Sequence, residues 1–268
     1  MVPVSDLPQG DPNWIDYSKV TGCSQDLAKE SHVHHKLRQQ LHKQVLSQCI
    51  HGIAPVPEDK VPSCILTHGG IASGKTSAIN LFRRTEETQR AYVHLDFDKV
   101  KRQLPEFMFM MDNKMKNAAE FTQEESAKLA GKAFKKAIQN RFNIIYEGSL
   151  QNTETIKDNI SKMKKKGYEI TIISTYVGES IGQARAQNRY QQGGRYVPAG
   201  RITETYKNCP ASLVFLKDLV NLVVLVNNEL EGQAARHVFT YSGKRLDILN
   251  SELYDEYIKA NGLAARLD

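Results

Sequence analysis

A glycine-rich segment near residue 70 has the composition of a phosphate-binding loop. Gly69, Gly74, Lys75 and Thr76 satisfy the pattern G-x-x-x-x-G-K-[ST], in which glycines let consecutive backbone NH groups turn toward an anion. In such a loop the lysine reaches the β- and γ-phosphates of a nucleotide, and the next hydroxyl binds Mg²⁺. We therefore predict a nucleotide and Mg²⁺ site here, with Thr76 as the metal ligand. The predicted nucleotide-binding residues are Gly69, Gly70, Ile71, Ala72, Ser73, Gly74, Lys75, Thr76 and Ser77.

The residues around this loop favour a nucleotide site over a glycine turn before a structural helix. The short apolar run from Cys64 to Thr67 is typical of a buried parallel strand, and residues 76–84 predict a helix with Ala78, Ile79 and Phe82 inward. The order strand, loop, helix brings a helix N-terminus, with its free NH groups and positive dipole end, against the phosphates.

Carboxylates follow two further predicted strands. Asp96 and Asp98 come directly after the run Ala91–Leu95, and Glu147 follows the run 143–146. Because open α/β sheets bind ligands at the carboxyl ends of their strands, we expect these acids to converge on one crevice. Asp98 also stands at the start of a short helical stretch, so its local sequence fits a helix N-cap and a catalytic base equally well.

A basic, glycine-rich stretch follows the helix predicted at 180–191. That helix carries Arg185 and Arg189, and the segment 191–201 contains Arg195 and Arg201. Its composition predicts a mobile lid. Isolated surface arginines are common, so only the nearby phosphate loop gives these residues a predicted role in phosphate binding.

The remaining pattern alternates strands and helices, which predicts an α/β fold: a doubly wound, mainly parallel sheet with helices on both faces. Residues 1–24 are expected to form an extended or partly ordered arm, 25–226 the main domain, and 227–268 an edge strand and helix on that domain. A long helix is predicted at 122–141, opened by a capping box of Thr122 with Glu125. The helical pattern at 202–217 is predicted to break at Pro210.

The overall composition and charge limit the classes of possible binding partner but do not identify one. The 268 residues carry a net charge of +6, which favours anionic partners. No nucleic-acid-binding motif accompanies the basic run near Lys164, and no apolar run could cross a bilayer, so neither nucleic acid nor a membrane is an expected partner. The four cysteines form no metal-binding pair. With no Sec signal pattern at the N-terminus, we expect a cytoplasmic protein, or one delivered into a host by another route.

Taken in order, these motifs resemble the zeta-toxin family of phosphate-loop kinases. The similarity spans about residues 25–226, and the segments that carry it are the phosphate loop, Asp96–Asp98 followed by Lys101 and Pro105, Glu147–Ser149, Asn188–Tyr190 and Gly194–Pro198. The resemblance implies that Lys75 binds the phosphates of ATP, that Asp98 is the general base, and that Arg189 and Arg195 hold the transferred phosphoryl group. It also implies that Glu147 and Ser149 contact the substrate, with Asp96 beside them.

The implied acceptor is a nucleotide-linked small molecule, UDP-N-acetylglucosamine first and NAD second, since related plant-pathogen effectors use NAD. An antitoxin partner is a further implication. Two departures bear on the acceptor: Lys132 stands where family members that phosphorylate UDP-N-acetylglucosamine carry an acid, and the segment between Arg189 and Arg195 is short. We therefore expect Lys132 in the acceptor wall. A nucleotide-hydrolysing switch and a partner-binding module remain as alternatives.

Overall fold

The computed structural model describes residues 24, 32–85, 90–230 and 232–263. The strands are β1 Ser63–Gly69, β2 Val93–Asp96, β3 Ile144–Glu147, β4 Glu169–Tyr176, β5 Leu222–Asn227, β6 Arg236–Ser242 and β7 Arg245–Ile248. The helices are α1 His32–Ile50, α2 Lys75–Thr85, α3 Phe97–Lys101, α4 Pro105–Asp112, α5 Ala118–Phe121, α6 Gln123–Gln139, α7 Thr153–Lys165, α8 Glu179–Gln191, α9 Ala199–Leu216 and α10 Ser251–Asn261. The predicted N-terminal arm lies outside the described residues, apart from Ser24.

In the described residues, seven strands form one sheet in the order β2-β3-β1-β4-β5-β6-β7. The first five run parallel, and β6 and β7 are antiparallel additions at one edge. This confirms the predicted doubly wound, mainly parallel α/β fold. Because β1 lies between β3 and β4, the chain leaving β1 at Gly69 emerges beside Glu147, the last residue of β3.

The central strand is buried on both faces, as a parallel strand covered by helices must be. Cys64 and Leu66 point into a large apolar cluster that includes Phe134 of α6 and Ile160 of α7. Ile65, one residue along and on the opposite face, packs with Ile79 of α2 in a second cluster. The helix that follows the phosphate loop is thereby fixed against the sheet by its own apolar face.

A third apolar cluster supports the elements beyond β2. It joins Val45 of α1, Val100 of α3, Phe107 of α4, Phe121 of α5 and Leu129 of α6. The short helices α3, α4 and α5 therefore pack with α1 and the first half of α6 around this third apolar cluster.

Two local predictions were wrong. Thr122 forms no capping box, since its hydroxyl donates to the carbonyl of Ala118, 2.8 Å away, and Glu125 pairs with Arg38 instead. Pro210 does not break α9, which continues through it from Ala199 to Leu216. The strand expected in the C-terminal region is present as β6, but it pairs with a further strand, β7, which sequence patterning missed.

Candidate active site

The loop between β1 and α2 is shaped by backbone conformations that favour glycine. Gly69 has φ +132° and Gly74 has φ +91°, the region that residues with a Cβ rarely adopt. A Cβ at Gly74 would also lie 1.7 Å from Nδ2 of Asn228. The pattern positions that identified the loop are therefore required by its geometry. Ala72 adopts φ +61° between them.

Uncharged side chains from neighbouring elements hold this loop in place. The backbone NH of Ile71 donates to Oγ1 of Thr205, 3.0 Å away, and Nδ2 of Asn228 donates to the carbonyl of Ser73 at 3.2 Å. The Ser73 hydroxyl lies 2.6 Å from that of Thr175. Side chains of β4, α9 and the residue after β5 provide these contacts, so hydrogen bonds within the protein hold the loop in its conformation.

Lys75 begins α2 and turns back over the loop. Its Nζ donates to the carbonyls of Gly69, at 3.0 Å, and Gly70, at 2.6 Å. Burial lowers the pKa of Lys75 to about 8, and the charges of Arg189 and Arg195 act in the same direction. An incoming polyphosphate would reverse that effect by supplying the missing negative charge.

Thr76 and Glu147 form the expected metal side of the loop. The Thr76 hydroxyl donates to Oε2 of Glu147, 2.8 Å away, and Oε1 of Glu147 lies 2.5 Å from Nε2 of His94. Burial raises the pKa of Glu147, but hydrogen bonds from His94 and Thr76 outweigh it and lower that pKa overall. An exposed hydroxyl beside an ionised carboxylate is an oxygen donor set that fits Mg²⁺.

The described part of the chain contains no group of three or more His, Cys, Asp or Glu side chains arranged to hold a metal ion. Mg²⁺ in nucleotide enzymes does not require such a group, because one or two protein oxygens, substrate phosphates and water complete its shell. Glu147, which the family resemblance implies is a substrate contact, also accepts a hydrogen bond from the predicted metal ligand Thr76.

The two acids after β2 have different surroundings. Asp96 is the N-cap of α3, and its Oδ1 accepts from the backbone NH of Asp98 at 2.8 Å. Burial and the charge of Glu147 raise the pKa of Asp96. Asp98 lies in the first turn of α3, where its carboxylate is free of capping. The cap assignment that the sequence left open therefore belongs to Asp96.

Asp98 is paired with the predicted lid. Nε of Arg195 lies 2.9 Å from one carboxylate oxygen of Asp98 and 3.1 Å from the other. Burial raises the pKa of Asp98, but the charges of Arg195 and Lys101 outweigh it and hold that pKa below its usual value. Asp98 is consequently an ionised acceptor for a proton at neutral pH.

Arg189 and Arg195 converge because the chain turns tightly after α8. The backbone NH of Gly194 donates to the carbonyl of Arg189 at 2.8 Å, and a Cβ at Gly194 would meet that same oxygen at 2.6 Å. Burial and the charge of Arg195 lower the pKa of Arg189. Arg189 and Arg195 both line the cleft, and Arg195 is paired with Asp98, so two guanidinium groups are available there to bind a phosphoryl group.

These residues surround a cleft of about 860 Å³. The predicted residues that line it are Ile71, Ala72, Gly74, Lys75, Thr76, Asp96, Asp98, Glu147, Ser149, Arg189 and Arg195. Gly69, Gly70 and Ser73 lie beneath the loop surface, and Ser77 is exposed on α2 outside the lining. The volume is within the range of small-molecule sites.

Lys132 is not part of this cleft. It is exposed on α6 and absent from the lining, which receives Gln123 from the start of that helix instead. Nine residues along an α-helix move a side chain about 13 Å and to roughly the opposite face. The expected place of Lys132 in the acceptor wall is therefore corrected by the structure.

Several polar residues that line the cleft had no role predicted from the sequence: Lys101, Lys116, Glu120 and Gln123. Lys101 carried a usable signal, because it lies three residues after Asp98 and a helix places such pairs on one side. The other three come from α5, α6 and the loop before α5, and no local pattern links them to the phosphate loop.

No helix among the described residues is both long and apolar enough to span a bilayer.

Comparison with known proteins places the chain in a family. A family model described as Zeta toxin matches residues 47–236. A curated relative, Toxin PezT from Streptococcus pneumoniae serotype 4, is 25% identical over 133 residues, which are 50% of this chain and 52% of that protein. The chain thus spans about half the length of this curated relative.

Solved structures share the fold at lower identity. A chain from the PezAT chromosomal toxin-antitoxin system of Streptococcus pneumoniae has a TM-score of 0.58 and 19% identity, with 71% of this chain and 76% of that chain covered. A chain from the AvrRxo1-ORF1:-ORF2 complex with ATP has a TM-score of 0.59 and 15% identity, with 82% and 71% covered. Since the family model covers well over half of the sequence, this chain belongs to the zeta toxin family.

Proposed function

We propose that this protein is an ATP-dependent kinase that transfers the γ-phosphate to a hydroxyl of a nucleotide-linked acceptor, with UDP-N-acetylglucosamine as the first candidate. The observation that carries the proposal is one cleft containing a formed phosphate loop, two converging arginines and the ionised Asp98. Nucleotide hydrolysis would also use the loop, Mg²⁺ and the arginines, but it would not need room for an acceptor beside Asp98.

The donor end binds and orients ATP. Lys75 exchanges its contacts with the Gly69 and Gly70 carbonyls for β- and γ-phosphate oxygens, and the helix N-terminus supplies NH groups. Mg²⁺ bound at Thr76 and Glu147 would supply charge neutralisation at the phosphates. Arg189 and Arg195 stabilise the negative charge on the phosphoryl group in the transition state of its transfer.

Asp98 acts on the acceptor. Once Arg195 turns to the γ-phosphate, the Asp98 carboxylate is free to accept the proton of the acceptor hydroxyl. The hydroxyl oxygen forms a bond to Pγ, the bond between Pγ and the β,γ-bridging oxygen breaks, and ADP leaves with that electron pair. An ordinary carboxylate serves as base because the proton leaves late in a loose transition state.

The charge of the cleft supports an anionic acceptor. Seven basic and four acidic side chains line it, and a nucleotide-linked sugar or a dinucleotide carries a diphosphate. UDP-N-acetylglucosamine comes first because of the family, and NAD is the second candidate. Similar structures include a chain of the PezAT toxin-antitoxin system and a chain of the AvrRxo1-ORF1:AvrRxo1-ORF2 complex, which supports a toxin role with an inhibitory protein partner.

A panel of acceptors tests the proposal. The protein is incubated with labelled ATP, Mg²⁺ and one of UDP-N-acetylglucosamine, UDP-glucose, NAD, free sugars, nucleosides or a protein mixture, and products are resolved by mass. The expected result is one phosphate added to a nucleotide-linked acceptor. Transfer confined to protein would refute the small-molecule assignment, and transfer confined to water would favour the hydrolytic alternative.

Expression in a bacterial host tests the proposed toxin role. Induced expression in a bacterial host should arrest growth with the wild-type chain, and Asp98→Asn should relieve the arrest. Asn113→Ala, an exposed position outside the cleft, is the matched control and should remain toxic. Equal toxicity of Asp98→Asn and the wild type would separate any growth effect from phosphoryl transfer.

A further inference from the structure

Lys101 is a buried cation to which the phosphoryl transfer described above assigns no contact with ATP or with the acceptor. It ends α3, one helical turn beyond Asp98, and only 3% of its surface is exposed. Its side chain nevertheless lines the cleft. Lysine is almost never this buried without a paired anion, because removing an ammonium group from water is costly.

The partners of Lys101 leave its charge uncompensated. Among the described residues its Nζ makes one hydrogen bond, to Oε1 of Gln123 at 2.6 Å, and no carboxylate lies within ion-pairing distance. The carboxylates nearby are engaged elsewhere, since Asp98 pairs with Arg195 and Asp96 caps α3. An ammonium group has three protons to donate, so two remain for a ligand in the cleft.

The electrostatics of Lys101 agree with this geometry. Burial and the charge of Arg195 lower the pKa of Lys101 to about 8, although Asp98 and Asp96 act against that shift. A bound anion would replace the missing water and the missing counter-charge together.

Lys101 and Lys75 are held by different elements that line the cleft. Nζ of Lys75 donates to the carbonyls of Gly69 and Gly70 in the phosphate loop, whereas Nζ of Lys101, at the end of α3, donates to Gln123 at the start of α6. An anion bound by Lys101 would therefore lie on the α3 and α6 side of the cleft and not at the phosphate loop.

We propose that Lys101, oriented by Gln123, binds a phosphate group of the acceptor and so selects phosphate-bearing acceptors over neutral ones. The inference rests on the proposed kinase function for its place in the reaction, and it adds the residue that recognises the acceptor. Lys116 closes the same end of the cleft from the loop before α5, with its Nζ 5.4 Å from the ring centre of Tyr196 in the lid.

Binding of a nucleoside diphosphate tests this site without requiring turnover. The donor end is first saturated with a β,γ-imido analogue of ATP and Mg²⁺, and UDP is then titrated by calorimetry. Loss of one charge-assisted contact predicts a Kd about tenfold to a hundredfold higher in Lys101→Met. Lys101→Arg should retain most of the affinity, and Arg102→Met, an exposed neighbour outside the cleft lining, should match the wild type.

Steady-state kinetics distinguish a phosphate-binding lysine from one that only supports the fold, because only the former would change the KM for phosphate-bearing acceptors selectively. In Lys101→Met the KM for UDP-N-acetylglucosamine should rise while kcat and the KM for ATP remain within about threefold of wild type. The KM for free N-acetylglucosamine, which has no phosphate, should not change. Thermal unfolding of each variant is recorded as a control for folding. Gln123→Leu, at an exposed position, provides a second test and should weaken UDP binding severalfold.

The outcomes separate this site from the kinase proposal. Equal UDP affinity in Lys101→Met and wild type, or no UDP binding by the wild type, overturns the phosphate site even if transfer is observed. UDP binding that depends on Lys101 without transfer to any acceptor upholds the phosphate site and rejects the kinase function. Parallel losses with phosphate-bearing and phosphate-free acceptors would show that Lys101 only supports the fold.

Discussion

The donor and acceptor ends of the cleft are built from different interactions. The phosphate loop is fixed by neutral hydrogen bonds from Thr205, Asn228 and Thr175, and α2 behind it packs on the sheet. The acceptor end consists of short helices on a separate apolar cluster, joined by buried charges. Neutral hydrogen bonds thus hold the phosphate loop, whereas ion pairs hold the helices of the proposed acceptor end.

The charges that hold the acceptor end meet at Arg38 of α1. Its guanidinium group bonds Glu125 of α6 and Glu106 of α4, and all three side chains are buried. Ser24 and His42 also contact Glu125, the latter at 2.6 Å. Glu125 lies two residues from Gln123, the partner of Lys101. Ion pairs therefore join α1 to α6, the helix that carries Gln123.

The largest effect is expected at the donor end. Lys75→Ala removes a charge-assisted contact to the transferred phosphate and should reduce kcat/KM by about three orders of magnitude or more. Phosphate transfer from labelled ATP measures this, with circular dichroism to confirm folding. Full activity in Lys75→Ala would remove the phosphate loop from the reaction.

At the boundary between the two ends, Asp98→Asn should lower kcat by about 10²- to 10⁴-fold, the usual contribution of a general base. ATP affinity should change little, because Asp98 contacts the lid and not the loop. Since its pKa is held below the usual value, kcat should not fall on its account between pH 5 and 8. Asp96→Asn is the comparison, and a larger loss there than in Asp98→Asn would exchange the roles of the two acids.

How much of each end of the cleft can be predicted from the sequence depends on how far apart in sequence the interacting residues lie. Gly69–Thr76 is a local motif, so its strand, loop and helix were predicted from neighbouring residues. Glu125 shows the limit: three residues after Thr122 it fits a capping box, yet its partner Arg38 is 87 positions away. Patterning could not find that pair, because an acid that caps a helix and an acid that binds a distant arginine occupy the same place in sequence.

A smaller effect, on stability, is expected from Arg38→Met. Removing the guanidinium group leaves Glu125 and Glu106 buried without their cation, which should lower the free energy of unfolding by about 3–5 kcal/mol. Urea denaturation measures the loss. The double variant Arg38→Met/Glu125→Gln should recover part of it, and no recovery would mean that packing of α1, not charge, is what Arg38 provides.

The stability that the Arg38–Glu125 pair provides is expected to decrease at acid pH. Burial raises the pKa of Glu125, but bonds from His42 and Arg38 outweigh it and lower that pKa from 4.5 to about 2. A carboxyl with a depressed folded-state pKa stabilises the fold above its unfolded pKa and loses that contribution as pH falls through the folded value. The stability gap between wild type and Arg38→Met should therefore narrow between about pH 4.5 and 2.

The smallest effect is expected at Lys132. A charge reversal there tests whether this residue lies outside the proposed acceptor site. Lys132 is exposed and lies on roughly the opposite face of α6 from Gln123. Exposed charges are screened by water and salt, so Lys132→Glu should leave kcat/KM for every panel acceptor within about twofold of wild type. Gln123→Leu, at the cleft end of the same helix, should instead weaken phosphate-bearing acceptors selectively. A change in acceptor preference from Lys132→Glu equal to that from Gln123→Leu would mean that α6 turns or the cleft extends along it when the acceptor binds.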